Sequence, residues 1–218
     1  MEWKQVRCLL IKDLKQEWRQ KFTLQGILLY AVAAVYIIYI SLRFLDKPSW
    51  NALFWVIVLF SGVSAVSKSF LQESKGKMLY YHQIVHPASM IVAKIIYSSV
   101  LMCFINLLCL LAYTVLLGMA AEHTGLFILA AVLGSLGFSA TSTVISAISS
   151  KAGNGHLIMP VLSIPLLIPV LLIAVKAGKK AVDGLEPSLI YPDLLALLLF
   201  YLLVAALGYM LYPWLWKE

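Results

Sequence analysis

His82 and His86, in the run HQIVH, stand four residues apart, a spacing that puts two imidazoles on one helix face within reach of a shared zinc ion. A zinc protease of that pattern needs a glutamate beside its first histidine to activate water, and Gln83 occupies that place. The pair therefore reads as two polar side chains on an interfacial helix, and no metal is expected. Ser61-Gly62 has the look of the edge of a serine-protease motif, but no histidine lies within another apolar run to serve as its base. Cys103 and Cys109 share one apolar run on different helix faces, and with Cys8 they cannot form a full disulfide set, so they read as small buried side chains. His123 and His156 are lone loop residues. Asp193 follows Pro192 at the start of the last apolar run, where an acid stabilises a helix start. No catalytic centre emerges, and the chain is not expected to be an enzyme.

The elements that must position these residues are set by the medium. The 218 residues are 62% hydrophobic and 12% charged, about half the charged share of a soluble domain. Too few polar side chains remain to cover a water-facing surface, so the solvent must be largely lipid. The formal net charge of +7 does not point to nucleic acid, because the basic residues sit at the ends of apolar runs. A first apolar run that starts after some twenty residues, with no small-x-small cleavage site, argues against a removable signal and for a first span. The expected fold is all-α, one transmembrane domain of six spans at about 23–45, 50–69, 89–118, 125–149, 157–177 and 191–214. With the N-terminus inside, the inner side holds twelve Lys and Arg residues and the outer side five: Arg43, Lys47, Lys176, Lys179 and Lys180. That count places both termini in the cytoplasm. Before the first span, residues 1–22 read as an amphipathic helix, with Trp3, Val6, Leu10, Leu14 and Trp18 on one side and Lys4, Lys12, Lys15 and Arg19 opposite. Such a helix lies on the cytoplasmic leaflet, in contact with membrane lipid.

The middles of the six runs hold no Asp, Glu, Lys, Arg or His. Carriers driven by ion gradients place such groups there to bind the coupling ion, so the energy should come from outside the chain. Gly134, Gly137, Ser139 and Ser142 crowd the fourth run with small residues, which mark a close helix contact, either within the chain or between two copies. Pro160, Pro165 and Pro169 in the fifth run predict a kinked or broken helix that could line a path.

Between the second and third runs lies FLQESKGKMLYYHQIVHPASMIVAK, too polar for lipid and too long for a turn. Met78–Val85 contains no breaker and ends before Pro87, so a short cytoplasmic helix is expected there, offering Met78, Leu79, Tyr80 and Tyr81 to a protein or to headgroups. A helix so placed could couple the spans to a separate ATPase, or merely link them. Phe70, Glu73, Gly76, Pro87 and the pair Ala93-Lys94, together with IPLLIPVLLIA at 164–174, resemble the CcmB family, the membrane subunit of a bacterial heme-exporter ABC system of cytochrome c maturation. The resemblance implies an ABC-2 type permease in the bacterial inner membrane, present as a homodimer. It implies CcmA as the ATP-binding subunit, CcmC and CcmD as further partners, and CcmE as the chaperone that receives heme. Heme would be substrate, ATP would be bound by the partner, and no cofactor would reside in this chain. Contact with the ATPase would fall to Glu73, Gly76 and Met78–Tyr81. Where the family often has an acid shortly after the glycine, this chain has Lys77, Met78 and Leu79, which leaves Glu73 as the nearest acid. No Trp-rich heme motif is present, so no heme ligand is assigned. A permease for another cargo (lipid, drug or polysaccharide) and a non-transporting scaffold are the alternatives.

Overall fold

Where no water is available to backbone N–H and C=O groups, an apolar chain satisfies them by closing each run into a helix. The computed structural model describes residues 3–19, 21–42, 45–71, 86–151 and 155–217, with the side chains of 16–19, 21–24, 27, 63, 65–71, 151, 155–158, 160 and 215–217 left aside. Its elements are α1 (Trp3–Arg19), α2 (Lys21–Ser41), α3 (Lys47–Leu71), α4 (Pro87–Leu117), α5 (Thr124–Lys151), α6 (Gly155–Val182) and α7 (Pro187–Lys217). Among the described residues four stretches are long and apolar enough to cross a bilayer: Pro87–Leu117, Thr124–Ser150, Val161–Val182 and Pro187–Trp214. α2 contributes a shorter apolar stretch, Leu28–Ser41. The coupling segment expected from the sequence, with Glu73, Gly76, Met78, Leu79, Tyr80 and Tyr81, lies outside the described residues.

The helices run back and forth between two ends. At the far end, the Trp50 indole donates to the Gly118 carbonyl at 3.1 Å and His123 N–H to the Ala181 carbonyl at 3.1 Å. These bonds gather the starts of α3 and α5 and the ends of α4 and α6. At the near end, Val6 and Leu9 of α1 share a cluster with Met90 and Ile91 of α4, Ala147 of α5 and Tyr212 of α7. α5 is the central pillar, touching α3, α4, α6 and α7. Accordingly 67% of its apolar window is buried, against at most 39% for the other three.

Three expectations are corrected. First, of the kink or break expected in the fifth run, the break does not occur, because α6 is one helix from Gly155 to Val182. Pro165 and Pro169 sit on its exposed side, and the side chain of Pro160 lies outside the described set. In lipid, unwinding would orphan more backbone groups than three prolines remove, so the helix persists. Second, α6 continues through Lys176, Lys179 and Lys180, and only residues 183–186 separate it from α7, with Gly184 turning the chain at φ +72°. Because α7 starts at Pro187, Asp193 is in its second turn rather than at its start; it pairs with Lys180 at 2.6 Å and Lys176 at 3.4 Å. Third, the lipid-facing side expected of α1 divides, Val6 turning to the protein while Trp3 and Leu14 stay outward. Val6, Leu9 and Asp13 are buried, whereas Trp3 and Leu14 are 68% and 53% exposed. The reason is electrostatic and lies in the site described next.

Candidate functional site

Lys94 is the only charged residue from Pro87 to Ala121, and it lies eight residues into α4. An ammonium group buried there requires a carboxylate, since an unpaired charge away from water costs several kcal/mol. Asp13 of α1 supplies it: Lys94 Nζ lies 3.2 Å from Asp13 Oδ2, with side chains 5% and 6% exposed. Lys12 Nζ reaches the other oxygen at 3.1 Å. This demand fixes the roll of α1 and brings Leu9 and Val6, which lie one and two turns before Asp13, against α4.

A second tie lies close to the 72–85 segment. Gln5 Oε1 accepts the backbone N–H of His86 at 3.2 Å. His86 is the N-cap of α4, its Nδ1 accepting from Ala88 N–H at 3.3 Å, and Pro87 follows as a preorganised first residue. One of the two imidazole nitrogens of His86 is thus engaged in capping. His82 lies outside the described residues, among which no cluster of three metal-binding side chains occurs. Gln5 and Asp13 therefore hold the start of α4 at two points. Tyr212 of α7 closes the same end, its hydroxyl donating to Met90 Sδ at 3.5 Å.

From Lys94 a polar seam runs inward between α4 and α5. Ser98 Oγ donates to the Lys94 carbonyl at 2.6 Å and accepts from Thr143 Oγ1 at 2.9 Å. Ser99 and Ser139 share a hydrogen bond of 2.8 Å. Deeper, Asn106 Nδ2 donates to the Ala131 carbonyl at 2.8 Å and to Ser135 Oγ. In an apolar surround such bonds fix helix register where greasy contacts alone would not.

The far end is built differently. Trp50, Phe54, Trp55, Tyr113, Phe127 and Phe138 form an aromatic cluster, all fully buried. Tyr113 O–H donates to the Trp50 carbonyl at 2.9 Å, and Asn51 Nδ2 to the Val175 carbonyl at 2.9 Å. On its rim Lys47 pairs with Glu122, whose carboxyl is held below its ordinary range first by that hydrogen bond and then by the lysine charge. Large rings with satisfied polar edges make this end stiff.

The small residues of α5 serve this packing within the chain. A Cβ at Gly134 would lie 2.7 Å from Trp55 Cη2, and one at Gly137 would lie 2.8 Å from Val170 Cγ1. Ser139 bonds Ser99, and Ser142 is buried. Reading the sequence alone missed the Asp13–Lys94 pair, although a signal was there: Asp13 is the only acid among residues 3–15, and Lys94 is alone in its run. No nucleophile, base and acid converge among the described residues.

Compared with protein-family models, residues 4–210 match the family described as CcmB protein. The match covers α1, the clasp on α4, the seam and most of α7. No curated protein matches the chain.

Proposed function

Since this chain belongs to the CcmB family, heme-exporter permeases of cytochrome c maturation, we propose that it converts ATP hydrolysis in a partner into rearrangement of its own membrane helices. In this reading α2–α7 are six spans in a bacterial inner membrane, α1 rests on the cytoplasmic leaflet, and both termini are cytoplasmic. Two copies work with two CcmA ATPases and with CcmC and CcmD, and heme passes to CcmE. CcmA binds the 72–85 segment through Glu73, Gly76, Met78, Leu79, Tyr80 and Tyr81.

The observation that carries the reading is the double tie of α1 to the start of α4, immediately after that segment. A push on the segment reaches His86 and Lys94 first, and Gln5 and Asp13 make α1 follow. The far end, locked by its aromatic core, serves as the fixed point. Ion-gradient driving finds no support in span middles that lack ionisable groups.

The test is co-purification in gentle detergent, with identification of the subunits and assay of ATPase activity. Glu73→Ala, Gly76→Val and Tyr80→Ala with Tyr81→Ala should leave membrane insertion intact while weakening ATPase capture and abolishing cytochrome c maturation. Full ATPase capture and maturation in all three variants would refute coupling at this segment.

A further inference from the structure

The outward side of α1 carries charge of one sign. Asp13, the only carboxylate among residues 3–15, is turned inward onto Lys94 and Lys12. Lys4, Arg7 and Lys15 are exposed, and so are Trp3, Ile11 and Leu14. On an α-helix these six fall within about 120° of one another. Bare tryptophan, isoleucine and leucine call for an apolar medium, and the cations among them call for anions. α1 is pinned along the first turns of a helix apolar enough to span, which sets this face at headgroup depth. A bilayer surface offers both media in the right order, whereas a soluble partner would have to bring a matching greasy, acidic groove.

We infer that this face of α1 binds anionic phospholipid, with Lys4, Arg7 and Lys15 on the phosphates and Trp3, Ile11 and Leu14 among the upper acyl chains. Through Asp13 and Lys94 the bound lipid then steadies the start of α4. To test this, the full chain in neutral detergent is titrated separately with phosphatidylglycerol and phosphatidylcholine, and bound lipid is counted by native mass spectrometry. Phosphatidylglycerol should be preferred. Lys4→Gln, Arg7→Gln and Lys15→Gln together should weaken its binding on the order of 100-fold at low salt, about fivefold per charge, and leave phosphatidylcholine unchanged. The charge-keeping variant Lys4→Arg, Arg7→Lys and Lys15→Arg should retain the preference. Equal binding of the two lipids, an undiminished preference in the glutamine variant, or shielding of Trp3 and Leu14 in membranes by a protein partner instead would overturn it.

Discussion

An ammonium group buried eight residues into a membrane helix is stable only while its carboxylate stays in place, and Asp13–Lys94 is such a pair. Asp13→Asn would strand the Lys94 charge and should destabilise the fold by about 3–5 kcal/mol, read as a lowered melting temperature in detergent together with easier proteolysis of α1. Exchanging the partners, Asp13→Lys with Lys94→Asp, should recover part of that loss. Glu122 gives the opposite case of an exposed pair. Its carboxyl titrates below the ordinary 4.5 because Lys47 bonds it and attracts its charge, so the folded state favours the ionised form. The stabilisation is therefore present above that ordinary value and lost as pH falls through the lowered folded value. Melting should show a small Glu122-dependent step below pH about 4.5 and none between pH 6 and 8, and Glu122→Gln should remove the step. An exposed pair of this kind contributes little, so the step should be far smaller than the effect at Asp13.

Among the elements, α5 has the least freedom. Its glycines are spaces filled by other helices: Gly134 receives the Trp55 ring, which Phe54 and Phe138 hold on two sides. Gly134→Ala should cost about 1–3 kcal/mol by overpacking, whereas Gly125→Ala, where nothing lies within 4 Å, should be neutral. Comparative thermal melts of the two variants decide this. α6 shows why proline count alone misjudges a membrane helix: in water the freed carbonyls would find partners on unwinding, and in lipid they would not. α1 shows that an amphipathic wheel read without neighbours finds the helix and its outward Trp3 and Leu14 but not the side that docks. Asp13, which the wheel leaves unassigned, is the residue that docks.

As a whole the molecule is graded from end to end. The far end is a closed aromatic core with a turn of only residues 183–186 between α6 and α7. The near end is a set of ties among α1, α4 and α7 made by single polar contacts. On the coupling proposed above, the near end moves and the far end is the pivot. On the proposed reading of α2–α7 as six crossings, the start of α2 and the end of α7 lie on the same side of the membrane. Reporters fused before Met1 and after Glu218 should therefore give the same compartment signal, and a reporter inserted between Asp183 and Gly184 the opposite one. A split result for the two termini would refute an even number of crossings.

The sequence alone determined the medium, the helical class, the approximate run of each helix and the family, because these follow from apolar run length, charge placement and residues close together in the chain. It showed that α5 packs tightly, since small residues signal close approach whatever the neighbour. It did not show which helix filled Gly134, which acid met Lys94, or that Asp193 rather than Asp183 and Glu186 would take up Lys176 and Lys180. Those are pairings across 40 to 81 residues of chain or between adjacent helices whose rotation is unknown beforehand. Hydropathy is a sum over one segment, whereas an ion pair or a ring in a glycine notch depends on the relative rotation of two, and only the tertiary structure decides that.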